Sequence, residues 1–296
     1  MTFNFNYQDG AGAGFHDPTL GAIRQAALQQ AADALGGYFQ HTATITINVT
    51  SFNLASHGTL ATAGSDLSFG GSGYFRTIVQ EKIITNGAND LNGAADDGTA
   101  VFNFGQLWGY SGTVSAAAYD FKSTAMHEMA HALGFLSQID ASGRGAQGNP
   151  SGNPDAWAVF DDWLTDNTGG GLINDTTFAF DTSKTGVLAG GSANGVFFSG
   201  PNARAAFGGQ RVPIYSPNPY ENGSSGSHTD DNTFGGAGAF LMNAAADTGP
   251  GIQTLSGIEL GIFQDLGYTV VPEPGALTLL LAGLASMILR FRWRLL

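Results

Sequence analysis

Two histidines and one glutamate lie close together near the middle of the chain, in a pattern that suits metal-dependent hydrolysis. Residues 127–131 read His-Glu-Met-Ala-His. On a helix, His127 and His131 are one turn apart and point the same way, so their imidazoles can share a Zn²⁺ ion at about 2.0–2.1 Å each. Glu128 lies about 100° further round the helix, where it can reach a water on the ion without becoming a ligand. The pattern predicts a zinc site in which Glu128 accepts the proton of that water.

A catalytic zinc ion usually has three protein ligands and one open position, so a third ligand should come from elsewhere in the chain. Gly134 allows the helix to end and the chain to turn beneath the metal. His228 follows a Gly/Ser-rich stretch that can bring it to the metal, and long insertions cost little closure entropy. We therefore expect His228 to be the third ligand. The alternatives are three aspartates that follow His131 at a shorter separation: Asp155, Asp161 and Asp162.

The elements that must position these residues begin with a predicted active-site helix over about 120–135. Before it, residues 18–36 have apolar positions at helical spacing, with Asp17 as a cap and Gly36-Gly37 as a stop. Residues 42–49 alternate as a half-buried strand, and residues 100–104 form a second short strand. Residues 75–85 are apolar and predict a helix or a strand. This order indicates a small α/β subdomain.

The second half of the chain is rich in Gly, Asn and Ser from residue 137 to residue 227, which indicates long loops. One helix is predicted inside this stretch. It opens at Asn153-Pro154-Asp155 and carries an apolar stripe of Trp157, Phe160, Trp163 and Leu164. A capping box with Ser256 and Glu259 predicts a further helix that ends at Gly267, with Tyr268 packed behind it.

Composition excludes several classes of function. The chain has 296 residues, 43% hydrophobic residues and 12% charged residues, so it can bury a large core and is not disordered. The net charge of −13 leaves no basic stripe to follow a phosphate backbone, which argues against nucleic-acid binding. The absence of cysteine excludes disulfides, thiolate metal sites and thiol nucleophiles.

Two further sets of polar residues are weaker candidates for a metal or catalytic site. Asp90, Asp96 and Asp97 lie in a Gly/Asn-rich loop that could hold Ca²⁺, although a solvated turn is the favoured interpretation. The remaining histidines stand in polar surroundings and are expected in turns or on the surface: His16, His41 and His57.

The C-terminal half of the body resembles the leishmanolysin-type metzincins. In that family a long insertion separates a His-Glu-x-x-His-x-x-Gly helix from a third histidine, and a Met-turn and a C-terminal helix follow. The matching segments, in the same order, are His127 to Phe135, Gly226 to His228, Leu241-Met242 and Ile262 to Tyr268. The resemblance implies peptide hydrolysis at a Zn²⁺ ion held by His127, His131 and His228, with Glu128 as general base and Met242 beneath the metal.

The chain also departs from that family. Compact metzincins would have a third histidine at position 137, where this chain has Ser137. The family is cysteine-rich, so neither its disulfides nor a cysteine switch can operate here. The segment 1–110 shows no match, and substrate specificity therefore does not carry over.

We expect an α+β, metzincin-like peptidase that acts on a protein or peptide substrate. Its N-terminal subdomain should span 1–136 and include the active-site helix, and its loop-rich C-terminal subdomain should span 137–270. The rival from another class is a non-catalytic surface or biofilm-matrix protein with a structural zinc site. A fourth protein ligand would favour that rival, whereas an open position would favour the enzyme.

The C-terminal segment 271–296 has a different character from the body. It runs from Val-Pro-Glu-Pro through an apolar stretch to an arginine cluster at 290–294. This order resembles the PEP-CTERM sorting signal that exosortases of Gram-negative bacteria recognise. It implies a transient membrane anchor with the body outside and export to the cell surface. Residues 1–15 lack the signal peptide that export needs, which indicates a start placed too late or a shortened chain.

Overall fold

The computed structural model describes residues 1–69, 71–145, 153–236 and 239–271. Helices and small sheets alternate along the chain, so the expected α+β class is confirmed. The helices are α1 Gly21–Gly36, α2 Ile78–Ile84, α3 Phe121–Ala132, α4 Val159–Asp162, α5 Gly191–Asn194, α6 Pro201–Ala206 and α7 Gly257–Asp265, with 3-10 turns at Gly14–His16 and Thr182–Ala189. The strands are β1 Thr2–Tyr7, β2 Thr44–Phe52, β3 Ala61–Gly64, β4 Gly73–Phe75, β5 Gly98–Asn103, β6 Trp108–Gly109, β7 Tyr119–Asp120, β8 Ala156–Ala158, β9 Leu164–Thr165, β10 Val196–Phe198 and β11 Val212–Ile214.

The largest sheet is four-stranded and has the order β1-β2-β5-β3. The first three strands are parallel, whereas β3 runs antiparallel to β5 at the edge. In β2 the alternate residues Ile45, Ile47 and Val49 are fully buried, which is the period that a half-buried strand requires. The strands predicted at 42–49 and 100–104 are confirmed as β2 and β5.

Two elements predicted in the N-terminal half, the helix at 18–36 and the helix or strand at 75–85, differ from the sequence expectation at their starts. Residues 18–20 form a turn because the carboxylate of Asp17 accepts from the N–H groups of Thr19 and Leu20, and α1 starts at Gly21. The segment 75–85 divides in two. β4 ends at Phe75, and Thr77 then caps α2 by accepting from the N–H of Gln80 at 3.1 Å.

The helix predicted from residue 153 is wrong. Residues 156–158 form β8, which pairs in parallel with β4, and only one helical turn, α4, follows. The carboxylate of Asp161 accepts from the N–H of Ala158, and the indole of Trp157 donates to the carbonyl of Phe178. Pairing with a strand far away in the sequence therefore overrides the local helical spacing, and the apolar stripe is still buried apart from the half-buried Trp163.

One hydrophobic core extends across the expected boundary at residues 136 and 137. The ring of Phe135 contacts those of Phe160 and Phe263, at centroid distances of 5.1 and 5.8 Å. α7 has the predicted capping box, because Ser256 accepts from the N–H of Glu259 and the glutamate accepts from the N–H of Ser256. Tyr268 is buried behind α7 as expected, and its hydroxyl donates to the carbonyl of Leu133 near the end of α3.

The tail predicted at 271–296 lies outside the described residues from Pro272 onward. No helix among the described residues has the length and hydropathy that a membrane crossing needs.

Candidate metal centre

Three imidazoles converge on one point. The Nε2 atoms of His127 and His131 are 3.0 Å apart, and each is 3.1 Å from Nε2 of His228. Among the residues that the structure describes, this is the only group of three or more histidine, aspartate or glutamate side chains able to hold a metal ion. The structure therefore brings together the two histidines of the motif and a third that lies 97 positions beyond His131.

Each of these histidines is oriented by a backbone carbonyl. Nδ1 of His127 lies 2.6 Å from the carbonyl oxygen of Leu241. The corresponding contacts are 2.7 Å from His131 to Phe135 and 2.7 Å from His228 to Ser224. A carbonyl oxygen can only accept, so Nδ1 carries the proton in each neutral ring and Nε2 presents a lone pair. This is the orientation that a metal-binding imidazole needs.

The convergence of three lone pairs calls for a cation. Burial lowers the pKa of each imidazole, that of His228 to about 3, so the rings do not carry the charge themselves. Three neutral acceptors at about 3 Å repel one another unless a positive ion lies among them. Ligands of a tetrahedral zinc ion are separated by about 3.3–3.4 Å, and the spacing here is a few tenths of an ångström shorter. The three histidines can therefore bind a metal ion.

The helix α3 places two of the ligands, and its two ends are fixed. At the start, the carboxylate of Asp120 accepts from the N–H of Ser123 at 3.1 Å and from the side chain of Gln253 at 2.8 Å. At the end, Gly134 has a φ of +95°, a conformation that glycine adopts readily. This turn directs the carbonyl of Phe135 back to Nδ1 of His131. The glycine predicted to end the helix thus also orients a ligand.

The loop that carries His228 is attached to the segment that follows α3. Oγ of Ser227 accepts from the N–H of Ser137 at 3.1 Å. Ser137 occupies the position at which compact metzincins have their third histidine, and here it anchors the loop that supplies His228 instead. Gly226, with a φ of +82°, makes the turn between Ser224 and His228.

The aspartates considered as third ligands have other surroundings. Asp161 is buried and accepts from the N–H groups of Gln138 and Ala158, at 3.0 Å in each case. Asp155 and Asp162 belong to no group of described residues that can hold a metal. The structure thus favours His228 over all three.

Glu128 is buried beside the ligands. Burial raises the pKa of its carboxyl to about 8, and a hydrogen bond from the backbone of Ala63 on the edge strand β3 opposes that shift. A positive ion nearby would favour the charged carboxylate. Burial and a positive ion thus act on the pKa of Glu128 in opposite directions. A carboxyl group whose pKa lies near neutral pH can both accept a proton and return it.

Met242 is fully buried in a turn that contacts the site through its backbone. The carbonyl of the preceding Leu241 faces His127, and the carbonyl of Met242 accepts from the N–H of Thr229 beside His228. The carboxylate of Glu259 accepts from the N–H of Met242 at 2.7 Å. The turn at Leu241-Met242 therefore connects two histidines of the candidate metal centre to α7.

In the loop considered for Ca²⁺, two of the aspartates pair with the ammonium group of Lys82 instead. Nζ of Lys82 lies 3.0 Å from carboxylate oxygens of both Asp90 and Asp97, and Asp97 is buried. Asp96 accepts instead from the amide of Asn48 at 3.0 Å. Among the described residues these aspartates belong to no metal-binding group, so the calcium expectation is not supported.

The three histidines and Glu128 line a cleft of about 950 Å³. The lining includes residues 58–66, which contain β3, and the loop residues 222–224 and 243–246. Four of the lining residues are acidic, and no lysine or arginine is found among those that the structure describes: the acidic residues are Asp66, Asp96, Asp97 and Glu128. Acidic side chains therefore outnumber basic ones in this lining, although Asp97 is paired with Lys82.

Several residues of the cleft were not predicted. The strand β3 has only four residues, Ala-Thr-Ala-Gly, and their pattern carries no strand signal. Gln138 also contributes to the lining, but no spacing rule marks a single glutamine. Outside the cleft lining, the expectation for His41 is wrong. This residue was expected at the surface but is buried. Its Nε2 accepts from the N–H of Thr269, and its ring packs on Tyr268.

Comparisons with known proteins give no match: no family model, no curated protein and no solved structure matches the chain.

Proposed function

We propose that the chain is a zinc-dependent endopeptidase of the metzincin type, related in plan to leishmanolysin. The observation that carries the proposal is the convergence of the Nε2 atoms of His127, His131 and His228 within 3.1 Å, beside the buried carboxyl of Glu128. An all-imidazole set of three suits zinc. Among the described residues no fourth side chain joins the group. The coordination position that remains supports catalysis over a structural zinc clip.

The chemistry divides between the ion and the protein. When bound, zinc supplies a Lewis acid that polarises the scissile carbonyl and acidifies water. Glu128 accepts the proton from the attacking water and passes it to the leaving amine. The carbonyls of Leu241, Phe135 and Ser224 hold the imidazoles in the tautomer that keeps each Nε2 unprotonated.

The edge strand β3 supports a peptide as substrate. β3 pairs with β5 on one side only, and its residues contribute to the lining of the cleft. An extended peptide can add to an exposed strand edge through main-chain hydrogen bonds, largely without regard to its sequence. Ala63 in this strand also contacts Glu128, so a peptide paired there would lie beside the general base.

Export is a separate proposal. The Pro-Glu-Pro, apolar and arginine order of 271–296 supports exosortase-type sorting through a transient membrane anchor. Fractionation of cells that express the chain with and without residues 272–296 tests it, because only the longer chain should be found in the membrane before processing.

The test of the peptidase proposal is hydrolysis of unfolded casein by the purified protein, with and without a zinc chelator. We expect cleavage that the chelator abolishes and that added Zn²⁺ restores. Cleavage that persists after the metal content has fallen to zero would contradict the proposal.

A further inference from the structure

We propose that Asn222-Gly223 is a site of spontaneous covalent modification, at which the asparagine loses ammonia and becomes aspartate or isoaspartate, and that this change weakens the candidate metal centre as the protein ages. The pair lies in the loop that carries His228. The inference concerns the chemistry of the loop itself and does not depend on a peptide substrate.

The reaction needs only the chain and water. The backbone nitrogen of the residue after an asparagine loses its proton and attacks the side-chain carbonyl carbon, so that a C–N bond forms, the bond to the amide nitrogen breaks and ammonia leaves. Water then opens the five-membered imide at either carbonyl, which gives aspartate or isoaspartate. Glycine in the second position favours the attack because it has no side chain to obstruct it. The reaction therefore requires a free side-chain amide, a free backbone N–H and room to move.

Asn222 meets these requirements. It is exposed, and within the part of the chain that the structure describes its side chain makes no hydrogen bond. The backbone N–H of Gly223 makes none with the described residues either. Gly223 is also exposed, has a φ of +83°, and has open space where a side chain would project. The nitrogen of Gly223 is thus free to approach the carbonyl carbon of Asn222.

Three other Asn-Gly pairs provide an internal comparison, because each is held by its surroundings: Asn86-Gly87, Asn92-Gly93 and Asn194-Gly195. In the first pair both reacting groups are engaged. Oδ1 of Asn86 accepts from the N–H of Thr42 at 3.0 Å. The N–H of Gly87 donates to the carbonyl of Lys82 at 2.8 Å. The side chain and the attacking nitrogen are therefore both held in place.

The remaining two pairs are held in similar ways. The side-chain amide of Asn92 donates to two backbone carbonyls at 2.9 Å each, and the N–H of Gly93 donates to the carboxylate of Asp90 at 3.1 Å. Oδ1 of Asn194 accepts from the side-chain amide of another asparagine at 3.0 Å, and Gly195 is buried. The sequence motif is thus shared by four pairs, whereas the freedom to react belongs to one.

The turn that contains Asn222 holds a histidine of the candidate metal centre. The carbonyl of Glu221 accepts from the N–H of Ser224 at 3.1 Å, which closes the turn around Asn222 and Gly223. The carbonyl of Ser224 in turn accepts from Nδ1 of His228 at 2.7 Å. Isoaspartate adds one carbon to the main chain inside this turn, so the turn can no longer close in the same way and the Ser224 carbonyl is displaced from His228. Loss of such a contact typically costs about 10–100-fold in metal affinity.

The first experiment follows all four Asn-Gly pairs by peptide mapping and mass spectrometry in the purified full chain, held at mildly alkaline pH. In the folded protein we expect Asn222 to convert while the other three asparagines stay unchanged. In denaturant we expect all four to convert together, because their surroundings no longer differ. An unchanged Asn222 in the folded protein, or conversion of another pair before it, would overturn the proposal.

Zinc titration then tests the effect on the metal centre with two matched variants. Asn222→Gln ages without this reaction, because its longer side chain would have to close a six-membered ring, and Asn222→Asp carries the charge of the products on an unchanged main chain. We expect zinc affinity to fall by about 10–100-fold in the isoaspartyl form of the wild type and to be kept by aged Asn222→Gln and by fresh Asn222→Asp.

Equal zinc affinity before and after conversion of the wild type would refute the effect on the metal centre. An equal loss in fresh Asn222→Asp would contradict the role given to the longer main chain. A fresh wild type that binds no zinc would refute the candidate metal centre itself, and with it this effect of the modification.

Discussion

Oε1 of Glu259 accepts a hydrogen bond of 2.7 Å from the backbone N–H of Met242, which precedes it in the chain. The other carboxylate oxygen of Glu259 accepts from the N–H of Ser256 in the capping box of α7. One side chain thus joins the last helix to the turn whose Leu241 carbonyl orients His127. A residue that caps a helix therefore also supports His127 of the candidate metal centre from a distance.

Replacing Glu259 should weaken both folding and metal binding. Glu259→Ala leaves the N–H groups of Met242 and Ser256 without their acceptor, at a cost of roughly 1–3 kcal/mol for each buried group. Zinc affinity should fall as well, by less than the roughly 10–100-fold typical of a group bonded directly to a ligand, because Glu259 acts on His127 only through the turn at Leu241-Met242. Chemical denaturation and zinc titration measure the two effects. The control is Glu81→Ala, which breaks an ion pair with Arg76 near the surface and should change zinc affinity little.

The third ligand can be tested directly. His228→Ala leaves two imidazoles on α3 and removes the one member of the described metal-binding group that lies outside that helix, so zinc affinity and proteolysis should both be lost while the body stays folded. His16→Ala is the matched control, because His16 is outside the cleft. Zinc content after dialysis, with circular dichroism as the folding check, gives the answer. Full zinc occupancy in His228→Ala would return the aspartates to consideration.

Asp161 should make stability depend on pH. Burial raises the pKa of its carboxyl to about 7 in the folded protein, against about 3.9 for an unfolded chain. The folded state therefore binds more protons between these values, and the stability contributed by Asp161 is greatest below about pH 4 and is lost as the pH rises to about 7. Asp161→Asn cannot titrate.

The difference in unfolding free energy between wild type and Asp161→Asn should therefore decrease as the pH rises from 4 to 8. Denaturation at several pH values measures it. Asp247→Asn, at an exposed carboxylate, provides the control. A difference that stays constant over this range would show that Asp161 titrates alike in both states.

The acidic lining of the cleft should influence substrate choice. Because the described lining has no basic residue and two of its acidic residues, Asp66 and Asp96, form no ion pair with the described residues, peptides with lysine should have higher kcat/KM than peptides with glutamate at the same positions. The preference should shrink as salt screens it. Asp66→Asn should reduce it, and Asp175→Asn, outside the lining, should not. Equal rates for both peptides at low salt would refute this expectation.

The sequence predicted the parts of this molecule that local chemistry dictates. The helix with His127 and His131 and the capping box of α7 are local patterns, and both form as expected. The helix predicted from residue 153 is wrong because residues 156–158 pair as β8 with β4, a strand that lies far away in the sequence. The edge strand β3 was not predicted, because its four residues carry no strand pattern and its place depends on pairing with β5. His228 was predicted from the Gly/Ser-rich stretch before it and from a resemblance, because no spacing rule fixes its place.

The most direct test of the account is to measure zinc content and peptide hydrolysis together in the wild type and in Glu128→Gln, with Glu81→Gln as control. The glutamine keeps the size of the side chain but cannot accept a proton. We predict one zinc ion per chain in all three proteins and a rate lower by roughly 10²–10⁴-fold in Glu128→Gln alone. Near-normal hydrolysis by Glu128→Gln with its zinc ion bound would contradict the account.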